Sequence, residues 1–127
     1  MKDIVEVAIG LPVSKTFHYR IPEKIRETLQ AGMRVLVPFK GRKVTGFTLD
    51  LLDHPPQGVE EKLKDIEDLL DDVPLFDSKM LHFFQWISQY YFYPLGEVIK
   101  TGLPPGLHLK SEPILSLTQL AEERFNS

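Results

Sequence analysis

The chain has 127 residues, 43% of them apolar and 26% charged, which suits about one domain with a single modest core. With a net charge of −3 and no cysteine, wrapping of a long duplex, disulfides and thiolate metal sites are excluded. No apolar run approaches the ~20 residues that span a bilayer, and Glu6 interrupts the stretch a signal peptide would need, so a cytoplasmic location with no membrane partner is expected.

In chain order, Ile4 to Ile9 reads as a strand with Val5, Val7 and Ile9 on one face. Leu11-Pro12-Val13-Ser14-Lys15 is a connection, because Pro12 cannot donate to a ladder. Thr16 to Arg20 is a second short strand. Pro22 suits the first turn of a short helix over Glu23 to Gln30, ended by Gly32. Arg34 to Phe39 alternates again, with Val35, Val37 and Phe39 on one face. Val44 to Leu52 forms a fourth strand with Thr45, Phe47, Leu49 and Leu51 on one side. The link Lys40-Gly41-Arg42-Lys43 makes these two a hairpin with a basic tip.

His54-Pro55-Pro56-Gln57-Gly58 is a loop. Leu63 to Leu70 fits strand or helix, and a strand around Lys64 to Leu69 is favoured. Asp77 is a good N-cap for a helix from Ser78 to about Phe92. Met80, Phe84, Ile87 and Tyr91 form one apolar stripe on it, and Phe83, Trp86 and Tyr90 a second, so burial on more than one side is expected. Pro94 ends that helix or starts the next, which runs to about Thr101 with Gly102 as its cap. Residues 1–107 read as one domain closed by Pro104-Pro105-Gly106, and residues 108–127 as a linker or the start of a truncated winged-helix domain. The expected class is α+β: a small sheet or partial barrel of five to six short strands, followed by a helical layer.

Charge is unevenly placed. Nine bases oppose five acids from Met1 to Asp50, a net +4, whereas three bases oppose nine acids from Leu51 to Leu81, a net −6. A basic first half is compatible with a small phosphate footprint. Catalytic chemistry is harder to assemble. His18, His54, His82 and His108 lie far apart, none in a Ser/His/Asp context, and no pair has the spacing of a metal site on a helix. Gly41-Arg42-Lys43-Val44-Thr45-Gly46 has the glycine separation of a phosphate loop, but Phe47-Thr48 follows, without the lysine such a loop needs. No catalytic residue, metal or cofactor is expected here, and an independent nuclease or ligase would need a metal or nucleophile the sequence does not offer.

Binding the end of a nucleic-acid strand requires less: an aromatic for one base, backbone amides, and one or two cations. Phe17, His18 and Tyr19 supply aromatics beside Arg20. Lys40, Gly41, Arg42 and Lys43 supply cations and open backbone, and Lys64 is a cation in an acidic stretch. Each also has a plainer reading. Alternation is expected to turn one of Phe17 and Tyr19 into the core. A basic hairpin tip is commonly a solvated turn, and Lys64 has Glu67 and Asp68 as candidate partners. The Phe83, Trp86 and Tyr90 stripe reads as packing.

The residues taken together resemble a known family. Leu11-Pro12 with Thr16-Phe17-His18-Tyr19 and Pro22, then Gly32-Met33-Arg34-Val35-Leu36-Val37-Pro38-Phe39, Gly46, Leu63-Lys64 and Leu70-Asp71 with Pro74-Leu75 follow its pattern. So do Tyr90-Tyr91, Pro94-Leu95-Gly96-Glu97-Val98 and Leu103-Pro104-Pro105-Gly106-Leu107, the most specific run. The chain resembles the N-terminal domain of primosomal protein N′ (PriA), the bacterial replication-restart helicase. The resemblance implies capture of the 3′ end of the nascent leading strand at a stalled fork, without catalysis in this fragment. It implies that Phe17 lines the terminal-base pocket, that Lys64 contributes to it, and that Lys40 and Gly41 contact the last nucleotide through backbone.

The partners it implies are DNA with a free 3′ end and forked DNA, with other primosome proteins and single-strand-binding protein met through the full-length protein. ATP, magnesium and zinc belong to the helicase and zinc regions of that longer protein. Two departures stand out. His18 replaces the family's usual aspartate, and imidazole can accept or donate where a carboxylate only accepts, so its contact with a 3′-hydroxyl can depend on pH. The turn is Pro38-Phe39-Lys40-Gly41 where Pro-Phe-Gly-Lys is usual, moving the glycine by one place. A competing expectation is a protein-docking module for primosome partners or the helicase core, working through the acidic Leu51 to Leu81 region.

Overall fold

A computed structural model describes residues 2–57 and 63–103. In it β1 (Ile4–Ile9), β2 (Phe17–Arg20), β3 (Arg34–Phe39), β4 (Arg42–Leu52), β5 (Lys64–Asp65) and β6 (Asp68–Leu69) form one six-stranded sheet in the order β5-β2-β1-β4-β3-β6. The sheet curls into a half-barrel, and α1 (Ser78–Tyr91) and α2 (Leu95–Gly102) follow it in the chain. The α+β expectation is met, and residues 104–127, with the proposed boundary at 107, lie outside the described residues.

The sheet has two buried faces. Val5, Val7 and Ile9 of β1 join Tyr19, Val35, Val37, Phe39 and Ile66 on the concave side. Ala8, Phe47 and Leu49 meet Phe84 and Ile87 of α1 and Val98 and Ile99 of α2 on the other. Alternating apolar residues thus sort between two cores rather than between core and solvent. Gly96 lets α2 reach the sheet: a Cβ there would collide with the carbonyl oxygen of Ile9.

The segment from Lys64 to Leu69 closes the curl. A single strand was expected, but two short ones form, β5 parallel to β2 and β6 antiparallel to β3. Between them the Ile66 N–H donates to the Arg20 carbonyl at 3.1 Å and the Glu67 N–H to the Leu36 carbonyl at 2.8 Å. One short segment therefore ties together strands on opposite flanks of the sheet, and the buried Ile66 faces the core between them. That double duty explains why its residue pattern fits no single period.

Three further expectations change. The Glu23 to Gln30 helix shrinks to one 3₁₀ turn, Glu23–Ile25. Eight residues hold a helix poorly unless packing supports it, and here the chain must bend so that the Gln30 carbonyl accepts from the Thr48 hydroxyl at 2.8 Å. In β4, Leu51 does not share a side with Phe47 and Leu49. The register with β1 shifts between Glu6 and Val7, the extra residue reverses the alternation, and Leu51 packs on the concave core. Finally, only Phe84 and Ile87 of α1 are fully buried, while Met80 and Tyr90 are exposed and Phe83 and Trp86 half-buried. One side of this helix faces the sheet, and the second stripe stacks on itself, with Trp86 and Tyr90 ring centroids 5.1 Å apart. The Asp77 cap is as expected, its carboxylate accepting from the Met80 N–H at 2.9 Å.

Candidate nucleic-acid interface

A cavity of about 440 Å³ opens where the start of β2, the end of β3 and the start of β5 converge. Lys15, Thr16, Phe17, His18, Tyr19, Pro38, Phe39, Lys40, Leu63 and Lys64 border it. Its size lies in the ~300–1,000 Å³ range of small-ligand sites. Five of the expected residues, Phe17, His18, Tyr19, Lys40 and Lys64, meet here although 47 positions separate the first from the last. The sheet brings them together: Val7 pairs with Phe17, Val5 with Tyr19, and Tyr19 with Lys64.

Alternation along β2 puts Phe17 and Tyr19 on the same concave face, not on opposite ones as expected, because residues two apart in a strand share a side. They differ in depth. Tyr19 is buried, and its hydroxyl donates to the Pro38 carbonyl at 2.9 Å, spanning from β2 to the far end of β3. Burial pushes the Tyr19 hydroxyl up to about 12. Phe17 is only half-buried and meets Phe39 edge to face at 5.0 Å between ring centroids. Tyr19 thus braces the wall, while Phe17, backed by the buried Phe39, offers aromatic surface to the opening.

Cations surround that surface. Lys15 Nζ stands 5.5 Å from the Phe17 ring centroid and Lys40 Nζ 5.4 Å from that of Phe39. Lys64 is exposed on β5, whose neighbour Asp65 is pinned outward by Arg20 at 2.9 Å. Glu67, a candidate partner for Lys64, instead stands 3.9 Å from Lys43. His18 occupies the alternate position of β2, in register with Glu6, and borders the cavity from the other side of the strand.

Lys40 and Gly41 form the two-residue connection between Phe39 and Arg42, which pair directly. Both have positive φ, 50° and 82°, as a type I′ turn requires. The glycine shift noted in the sequence therefore places a lysine in the left-handed region, where a side chain is disfavoured. Gly41, Arg42 and Lys43 do not border the cavity, so the basic tip divides into one residue at the mouth and three beyond it.

Lys15, Thr16, Pro38, Phe39 and Leu63 are cavity residues the sequence reading did not select. Phe39 is core, as its shared face with Val35 and Val37 implies, and it borders the cavity as well. Lys15 was assigned to a connection, yet the two-residue period running back from Tyr19 through Phe17 reaches it, and that was the available signal. Among the described residues no group of three or more His, Asp or Glu could hold a metal ion, and no helix is long and apolar enough to cross a membrane.

A family model described as the 3′DNA-binding domain (3′BD) matches residues 6–104. Curated relatives agree. Replication restart protein PriA of Haemophilus influenzae is 38% identical over 104 residues, 80% of this chain and 13% of the relative. Its counterpart in Bacillus subtilis is 28% identical over 110 residues, 87% of this chain and 14% of the relative. That of Rickettsia conorii is 32% identical over 122 residues, 92% of this chain and 17% of the relative. The chain thus spans less than a fifth of the length of these relatives.

Proposed function

The chain belongs to the PriA 3′DNA-binding domain family, and from that premise we propose that its aromatic cavity takes the last nucleotide of a DNA strand with a free 3′ end. The observation that carries this reading is the Phe17–Phe39 pair at a cavity mouth flanked by Lys15, Lys40 and Lys64. A nucleobase needs a flat apolar partner, and its phosphate needs cations within a few ångströms. Most of the acids lie elsewhere in the chain, so the overall negative charge does not oppose a short contact of this kind.

Phe17 stacks the terminal base, Lys64 and Lys40 meet phosphate or sugar oxygens, and the exposed backbone at Lys40 and Gly41 gives a further contact. His18 replaces the family's aspartate beside the 3′-hydroxyl. Within the longer protein this module would bring a replication-restart helicase to the nascent leading strand at a stalled fork, with ATP, magnesium and zinc serving that protein's other regions. The module itself performs no catalysis in this reading.

The test uses short single-stranded oligonucleotides blocked with phosphate at one end. A 3′ phosphate should weaken binding and a 5′ phosphate should not. With two or three phosphates contacted, log affinity against log salt should slope by about −1.4 to −2.1. Equal affinity for the two blocked oligonucleotides would end the proposal. Absence of any DNA binding, with capture of a primosome partner retained, would favour the protein-docking expectation instead.

A further inference from the structure

A second cavity, of about 240 Å³, lies on the helix side of the sheet between the connection before β2 and the facing side of α1. We infer that it takes the base of the penultimate nucleotide of the strand whose last nucleotide occupies the first cavity. This inference rests on the end-binding reading and extends it.

Lys15 and Thr16 border both cavities, so the two sites adjoin across one short stretch of backbone. That stretch is an open edge. β5 pairs with β2 only at Tyr19 and Arg20 and leaves the beginning of the strand uncovered. A sugar-phosphate backbone leaving the first cavity can therefore pass around the edge of the sheet at Lys15. Lys15 is also the one charged residue on the border of the second cavity, and no acid lines it. A single cation between two pockets suits the single phosphodiester that links two nucleotides.

The remaining lining suits a base. Gln85 and Gln89 are one helical turn apart on α1, and both border the cavity. The Ser88 hydroxyl is already committed, donating to the Tyr93 carbonyl at 2.6 Å, and the Thr16 hydroxyl donates to Glu6 Oε2 at 2.6 Å. That leaves the two carboxamides, with the Ser14 hydroxyl beside them, as the side-chain hydrogen-bonding groups of the lining that can meet a base. Each carboxamide carries an acceptor oxygen and a donor nitrogen, and every nucleobase edge presents one or both complements. Such a site would accept any base, as capture of strand ends of arbitrary sequence requires. The chain thus grips two nucleotides by different physics: stacking and charge for the last, hydrogen bonding for the one before.

The test compares thymidine 5′-monophosphate with the dinucleotide TpT, titrated into the full chain. The monophosphate already carries the phosphate that links the two nucleosides, so any advantage of TpT comes from the second nucleoside. TpT should bind about tenfold more tightly to the unchanged chain. In a Gln85→Ala/Gln89→Ala variant its affinity should fall to near that of the monophosphate. Side-chain amide resonances of Gln85 and Gln89 should shift with TpT and stay in place with the monophosphate. A TpT advantage that survives the double substitution, or equal affinity of the two ligands for the unchanged chain, overturns the second site alone. Failure of the unchanged chain to bind either ligand overturns the end-binding reading itself.

Discussion

β3 joins two regions that use similar chemistry to opposite ends. At its first residue the Arg34 backbone N–H donates to Asp71 Oδ2 at 2.8 Å, and the guanidinium donates to Asp71 Oδ1 at 2.8 Å. Nearby, the buried Thr48 hydroxyl accepts from the Met33 N–H at 3.0 Å and donates to the Gln30 carbonyl, and the Gly32 N–H donates to the Thr48 carbonyl at 2.8 Å. At its last residue Phe39 meets Phe17 edge to face beside the cavity, with Lys15 and Lys40 over the two rings. The first region satisfies its polar groups internally. The second holds aromatic and cationic groups at a cavity mouth that the protein leaves unfilled, which stabilises the fold less and leaves interaction for a ligand.

Substitutions at the closed end should chiefly change folding and spare binding, and those at the open end chiefly change binding. The largest effect is expected for Asp71→Asn. Burial opposes the charge on Asp71, but hydrogen bonds from the Arg34 side chain and backbone outweigh it and hold the carboxylate below its usual range. Losing that pair should reduce unfolding free energy by about 3 kcal/mol. A carboxylate depressed in the folded state contributes its full stability above the unfolded value of roughly 3.9 and loses it as pH falls through the folded value. The stability gap between parent and variant in denaturant titrations should therefore narrow from neutral pH to pH 3, with oligonucleotide affinity at neutral pH unchanged. A variant gap as large at pH 3 as at pH 7 would show that the pair is not what holds this end.

At the open end Phe17→Ala should weaken binding of an oligonucleotide with a free 3′ end by about 2 kcal/mol through the lost stack. Its effect on unfolding should be the smaller one, because the ring is only half-buried. If the variant unfolds more readily and binds as before, Phe17 belongs to the core and the division between the two ends fails. Phe17→Leu sharpens the test, since it retains apolar bulk and loses the flat face.

How much of this was legible in the sequence follows from the physics of each element. The strands from Ile4, Phe17 and Arg34 show in their two-residue period, and the Asp77 cap is local chemistry. The bulge that turns Leu51 to the other face depends on pairing between strands over 40 positions apart, and no local pattern contains it. The split of Lys64 to Leu69 into two bridging pieces is hidden for the same reason. For the site, residue type alone suggested Phe17, Lys40 and Lys64, and the family resemblance placed Phe17 and Lys64 at a shared pocket. Lys15 looks ordinary in its connection, and Phe39 is a core residue whose place on the cavity border no local pattern shows.

A third substitution probes the brace between strand and mouth. Tyr19→Phe removes the hydroxyl that donates to Pro38, at a cost of about 1 kcal/mol. The sign of its pH dependence is opposite to that of Asp71. A hydroxyl whose folded value is raised to about 12 contributes fully below the unfolded value of roughly 10 and loses its contribution as pH climbs between the two. The parent should lose stability over that alkaline window, and the variant should lose less. Parallel stability curves from pH 9 to 12 would remove Tyr19 from the account.

The smallest effect is the most pointed, because it should move folding and binding in opposite directions at one residue. Lys40 holds a φ of 50° in the first central position of a type I′ turn, with Gly41 at 82° in the second. Asn followed by Gly suits this turn, since asparagine tolerates left-handed backbone better than lysine does. Lys40→Asn should therefore raise unfolding free energy by about 0.5 kcal/mol. The same change removes a cation from the mouth, so the salt slope of oligonucleotide binding should shrink by about 0.7, the share of one phosphate. A lysine in backbone that disfavours it, at the edge of an aromatic cavity, is explained if its charge serves a ligand. Greater stability with an unchanged salt slope would make Lys40 merely a poor turn residue, and the cationic rim would then rest on Lys15 and Lys64.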